Sequence, residues 1–224
     1  MKPERYISST NGPLEIKGDE RDTAILLNGE LMQFTYLREI GSTWRYQVAR
    51  GIQEADLIAE NRFRNFVKYG FLNHDALSIQ FSDLLQLLAQ GEYQIELTYT
   101  DKDIYSVEID EEAQGYYSFD TYGGLVDVIE TQSACEEAIV NSYIELIKTK
   151  HEPIVILLKT SKSHDTFLID GHHKWYAYGR LKQKVKCLLI TRLDSPEIDT
   201  KEALEYLKLG KCNTEYRNWY FDPD

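Results

Sequence analysis

Five consecutive residues, Asp170-Gly171-His172-His173-Lys174, set a carboxylate, two imidazoles and an ammonium around one glycine. They follow the apolar run Phe167-Leu168-Ile169 and lead into Trp175-Tyr176-Ala177, so the stretch reads as a buried strand turning directly into a helix. A helix that starts this way presents unpaired backbone N–H groups and a partial positive charge to whatever lies in front of it, a setting that suits phosphate or another anion. Gly171 then supplies a positive φ or a close backbone approach. The expected division has one histidine donating to phosphate while the other packs or caps, and Lys174 either neutralises phosphate charge or is a solvated helix side chain. Asp170 has two readings: it holds a magnesium ion or positions a hydroxyl, or it shapes the turn by bonding to its own backbone. His172 and His173 do not make a chelating pair, because helical neighbours point roughly 100° apart and chelating histidines sit four residues apart.

The segment Asp170-Gly171-His172-His173-Lys174, with Ala177 following, resembles the G-x-x-R-x-x-A segment of the ParB/sulfiredoxin superfamily, often written D-G-H-H-R or G-x-H-R. The order of elements around it agrees: a helix, an apolar strand at 153–159, the motif, and a further apolar strand at 185–191. The resemblance covers residues 123–195. It implies a small α/β domain with a small mixed sheet that binds a nucleoside triphosphate, with magnesium, at the start of the motif helix. Members of this superfamily phosphorylate a sulfinic acid, hydrolyse a nucleotide to clamp DNA, or phosphorylate free serine, and some are described as nucleases, so fold alone leaves the activity open.

Departures from the family pattern narrow it. His172 stands where a sulfiredoxin has its reactive cysteine, which removes sulfiredoxin chemistry. Lys174 replaces the usual arginine, keeping the charge and losing bidentate phosphate recognition. The roughly thirty residues after Thr191 are too few for the helix-turn-helix of DNA-spreading ParB chains. In the kinase branch a glutamate ahead of the motif acts on the substrate hydroxyl; Glu130, in Val128-Ile129-Glu130-Thr131, is its positional counterpart here, against a reading as a solvent-facing strand-end residue. The resemblance thus implies nucleotide or polyphosphate binding by Gly171, His172, His173 and Lys174, with Glu130, Asp170 and His172 serving phosphoryl transfer or hydrolysis. The rival reading is a non-catalytic anion-sensing or protein-interaction module; a nuclease is third.

Composition restricts the partners. The chain of 224 residues carries 25 Lys+Arg against 37 Asp+Glu, and the imbalance is uneven: residues 1–120 hold 11 against 21, residues 121–224 hold 14 against 16. An acidic first half repels a nucleic-acid backbone, so DNA is not an expected partner. The basic cluster Lys174, Arg180, Lys182, Lys184 and Lys186 reads either as a solvated face or as an anion-attracting rim. Three unpaired cysteines, Cys135, Cys187 and Cys212, indicate no disulfide framework, and Cys187 in its apolar strand is a core thiol. With no membrane span and no secretion-signal pattern at the amino terminus, the setting expected is soluble, reducing and cytoplasmic.

The positioning elements read as a mixed α+β chain in two parts, 1–120 and 121–224. Asn28-Gly29 between two apolar runs predicts a hairpin over 23–36. Helices are expected at 54–68 and at 83–90, the second capped by Ser82 and stopped by Gly91, and strands at 93–99 and 104–109. Ser133 with Glu136 three residues on matches a capping box for a helix over 135–148. The acidic run 108–112, continuing to the glycines 123–124, reads either as a boundary between the two parts or as a loop packed under the second. Tyr116, Tyr117 and Tyr122, and the carboxyl-terminal cluster Tyr216, Trp219, Tyr220 and Phe221, read as packing aromatics, or else as a surface for a protein partner.

Overall fold

The runs Val155-Ile156-Leu157-Leu158, Phe167-Leu168-Ile169 and Cys187-Leu188-Leu189-Ile190 are apolar without alternation, the pattern of strands covered on both faces. The computed structural model places all three at the centre of one sheet. It describes residues 2–40, 43–51, 64–70, 72, 75–100, 106–107, 116–122, 128–131 and 136–209. Among these, β1 (Glu4–Ser8), β6 (Gly91–Thr100), β12 (Val185–Arg192), β10 (Val155–Thr160), β11 (Thr166–Asp170), β9 (Val128–Glu130) and β7 (Ser106–Val107) form a seven-stranded mixed sheet in that order. A second sheet, wholly antiparallel, runs β2 (Leu14–Gly18), β3 (Asp22–Leu27), β4 (Glu30–Ile40), β5 (Thr43–Arg50) and β8 (Tyr116–Tyr122). The chain is therefore mixed α+β, as its sequence predicts.

Three apolar clusters define four layers. Helices α4 (Glu137–Lys148) and α5 (His172–Leu181) cover the outer face of the first sheet, where Val140, Ile147, Trp175, Ala177 and Tyr178 meet Val155, Leu157, Leu168, Val185 and Cys187. Between the sheets, Leu14, Ile16, Ile25 and Leu27 pack on Ile95, Ile156, Leu158, Phe167, Leu188 and Ile190. On the far side of the second sheet, Ala203, Tyr206 and Leu207 of α6 (Thr200–Leu209) pack on Ala24, Leu26, Phe34 and Ala49. Burial holds the Cys187 thiol up to about 12, so it stays protonated and inert at neutral pH.

The expected boundary at residue 120 is crossed by the packing. β8 spans it, β6 from the first part pairs with β12 and carries β1 on its other edge, and α6 from the second part packs on β4 and β5. One polar link between the sheets is Arg192 at the end of β12, whose side chain is 6% exposed. Its guanidinium donates to the Ile16 carbonyl at 2.7 Å and the Gln90 carbonyl at 3.0 Å and pairs with Glu15 at 3.2 Å.

Other local expectations meet the structure unevenly. The hairpin forms with Asn28 and Gly29 at φ 53° and 81°, the double left-handed turn that Asn-Gly supplies. No helix runs 83–90: α2 (Leu77–Gln80) and α3 (Ser82–Leu85) are single turns, Ser82 lies inside α3 without capping it, and Gly91 opens β6. The backbone after α3 is drawn into sheet-like pairing instead, Ala89 donating to the Leu14 carbonyl and Leu14 to that of Leu87. Of the expected helix 54–68, the described part is α1 (Arg64–Tyr69), and of the strand 104–109 it is β7. The acidic run 108–112, Ser133, Cys135, Cys212 and the carboxyl-terminal aromatics lie outside the described residues. No helix among the described residues is long and apolar enough to cross a membrane.

Replacing Arg192 by methionine leaves buried carbonyls of Ile16 and Gln90 without their donor. The expected outcome in urea denaturation is a loss of roughly 3 kcal/mol with the cooperativity of unfolding retained.

Candidate functional site

Glu130 ends β9 and Asp170 ends β11, and these two strands are parallel neighbours, with Leu168 opposite Glu130. Their carboxyl ends therefore open on the same edge, the place where α/β sheets receive ligands. α5 starts from this edge, and the motif residues gather there with Glu130.

Gly171 makes the turn. It has φ 98° and ψ 28°, a conformation that disfavours a side chain, and a Cβ there would come within 3.2 Å of Lys174 Cδ and 3.3 Å of Val155. The expected positive φ and close approach are both present. What approaches closely is the stem of Lys174, folded back beneath the turn.

Lys174 is 5% exposed. Its ammonium donates to Asp170 Oδ2 at 2.9 Å and to the Ile154 carbonyl at 3.0 Å, joining the start of α5 to the end of β11 and the approach to β10. A shift of register between Ile156 and Leu157 brings Asp170 opposite Ile156, within reach of this ammonium. Neither sequence reading of Asp170 anticipated such a partner: its carboxylate serves Lys174 rather than the backbone of its own turn.

Both histidines are acceptors. His172, 2% exposed, takes the Thr131 N–H on Nε2 at 3.2 Å, and the more open His173 takes the Glu136 N–H on Nε2 at 3.0 Å. A ring that accepts on Nε2 is neutral and carries its proton on Nδ1. Burial lowers the pKa of His173, the nearby carboxylates of Glu136 and Asp170 opposing and the Lys174 ammonium assisting. His173 also corrects the capping box. Glu136 occupies the cap position of α4 itself, with φ −72° and ψ 118°, so it is not the third residue of a helix that begins at Ser133.

Glu130 is not solvent-facing. It is 2% exposed and accepts the Tyr176 hydroxyl on Oε2 at 3.0 Å. Tyr176 lies one turn after His172, so one face of α5 grips the consecutive residues Glu130 and Thr131, while the Thr131 hydroxyl bonds the Leu168 carbonyl at 2.7 Å. Sequence reading missed Tyr176, although its spacing of four from His172 put it on the same helical face.

The anion-attracting rim is largely consumed by ion pairs. Arg180 donates to Glu137 at 2.7 Å and Lys186 to Glu152 at 2.8 Å, in addition to the pair made by Lys174. Among the described residues no three of His, Cys, Asp and Glu are grouped to hold a metal ion. The Asp170 side chain is 32% exposed.

Two outcomes test this geometry. Gly171→Ala strains the turn and crowds Val155, with an expected loss of about 1–3 kcal/mol of stability in chemical denaturation. For His173, the unfolded imidazole binds a proton more readily than the folded one. Its contribution is therefore complete above the unfolded value near 6.5 and declines as pH falls toward the lower folded value. His173→Asn should flatten the stability–pH curve in that window, measured as urea midpoints at successive pH values.

Neither a family model, a curated protein nor a solved structure matches this chain.

Proposed function

We propose that the chain is a nucleotide-binding protein of ParB/sulfiredoxin type, holding the phosphates of a nucleoside triphosphate at the start of α5. The observation that carries this reading is the convergence of Gly171, His172, His173, Asp170 and Glu130 at the carboxyl ends of the parallel strands β9 and β11. The backbone N–H groups at the start of α5 supply the polar contacts, with His173 the more open of the two imidazoles beside them. Lys174 acts from beneath, fixing the turn and setting the local potential, rather than as a direct ligand. Magnesium brought by the nucleotide offsets phosphate charge beside Asp170, and bound there it would supply electrostatic stabilisation of the transferring phosphoryl group.

Two activities fit such a site. Phosphotransfer or NTP hydrolysis is favoured by the buried, bonded carboxylate of Glu130. A non-catalytic anion-sensing module is favoured by the internal pairing of Lys174, Arg180 and Lys186. The acidic balance of the chain opposes nucleic acid as the ligand, and with it nuclease activity.

Thermal denaturation with a panel of nucleotides and magnesium tests the binding reading. A nucleotide present at about 100 times its dissociation constant raises stability by about 2.7 kcal/mol, and Lys174→Ala combined with His172→Ala abolishes the shift. Unchanged transitions with every nucleotide would sink the proposal.

A further inference from the structure

Between the two sheets the chain buries a polar cluster inside an otherwise apolar layer. β3 and β4 pair Ile25 with Gln33 and Thr23 with Thr35, so these four residues share one face, the face on which Ile25 joins the interlayer core. The connection from β10 to β11 meets them there. The Thr35 hydroxyl donates to Asp165, the Thr23 and Ser163 hydroxyls bond each other at 2.7 Å, and Ser163 accepts the Asp165 N–H at 2.9 Å. None of Thr23, Gln33, Thr35, Ser163 and Asp165 is more than 5% exposed.

Gln33 is the member that this network leaves over. It is 0% exposed, and neither its amide nitrogen nor its amide oxygen has a hydrogen-bond partner among the described residues. It also sits where the β3–β4 register shifts: Ile25 pairs with Gln33 and Leu26 with Leu31, which makes Met32 the extra residue of a bulge, a device that re-aims side chains. A buried amide unmet at both ends is rare in a folded protein, because each end has given up its bonds to bulk water. We infer that the interlayer cluster is a binding site for buried water. The bound water accepts from the Gln33 amide nitrogen, donates to its oxygen, and extends the hydroxyl network that ties β3 and β4 to the β10–β11 connection.

Charge and enclosure select water over other ligands. An anion would lie against the Asp165 carboxylate, and a cation would lie against the N–H donors of the amide. A larger polar molecule would need an opening, and every member of the cluster is closed to solvent or nearly so. Water is small, neutral, and both donor and acceptor.

Two measurements on the full chain test the site. In isotopically labelled natural protein, the Gln33 side-chain amide protons are expected to show a nuclear Overhauser effect to water with the sign of contacts inside the protein, the signature of water that stays bound while the protein tumbles. Gln33→Leu, close in size and without polar atoms, decides by the sign of its effect on stability. Removing an amide that water satisfies strands that water, and the melting temperature is expected to fall by about 3 °C or more. Removing an orphaned amide would raise it instead. An amide without contact to bound water, a melting temperature raised by Gln33→Leu, or stabilisation by sodium, potassium or calcium that Gln33→Leu abolishes would overturn the inference; the last would make this a cation site. Should Gln33→Leu fail to fold, the measurement on the natural protein decides alone.

Discussion

The site rests on one buried ammonium. Withdrawing a lysine from water is costly unless its charge is met, and Lys174 meets Asp170 and a backbone carbonyl of residue 154 in the same small space. Because those partners belong to the end of β11 and the approach to β10, the first turn of α5 can adopt one phase only. Gly171 follows from this, since the lysine stem passes where a Cβ would stand. The directions of His172, His173 and Tyr176 follow in turn, and with them the grip on residues 130, 131 and 136. Lysine suits this post better than arginine would. A compact ammonium donates to a carboxylate and a carbonyl that lie in different directions, whereas a planar guanidinium favours partners in its own plane.

The second sheet contributes by burying the first. β10, β11 and β12 are apolar on both faces, so a layer of helices on one side and the β2–β5 sheet on the other are both needed to keep them from water. Arg192 helps fix the relation between the layers by donating to the carbonyl of Ile16 within β2 and that of Gln90 just before β6. Lys17 and Glu202 pair across to α6, where the Tyr206 hydroxyl bonds the same glutamate at 2.6 Å, so the final described helix is tied to the outer face of the second sheet by polar contacts as well as packing.

Local signals were legible where a residue type has one dominant physical use. Asn28-Gly29 gave its turn because few other pairs tolerate two left-handed residues, and the strands around the motif were legible because unbroken apolar runs of that length have few alternatives. The segment after Ser82 misled because Leu84, Leu85 and Leu88 also satisfy a helical period. Backbone pairing with residues 12–14 outweighed that weak propensity after one turn. The partners of the site were less legible still. Nothing in the spacing of Lys174 shows that its ammonium turns toward residue 154, because that depends on the approach to β10, 20 residues earlier, and on a register shift between β10 and β11. Tyr176 and Glu130 are likewise joined only by tertiary structure, and the shared core across residue 120 has no counterpart in composition.

Charge accounting limits what the strand-end crevice can hold. Glu130 and Asp170 contribute two carboxylates, Lys174 one ammonium, and the histidines none while they accept on Nε2. Backbone N–H groups at a helix start orient an anion, and their dipoles attract it, yet they leave the formal imbalance in place. A bare triphosphate would face carboxylate repulsion in a setting where burial weakens screening. A ligand whose charge is already offset by a cation would escape that repulsion, and Asp170 is the more exposed of the two carboxylates. Glu130 lies deeper and is held by Tyr176. Burial therefore sets the two acids apart, the open one paired with Lys174 and the closed one bonded to a tyrosine hydroxyl.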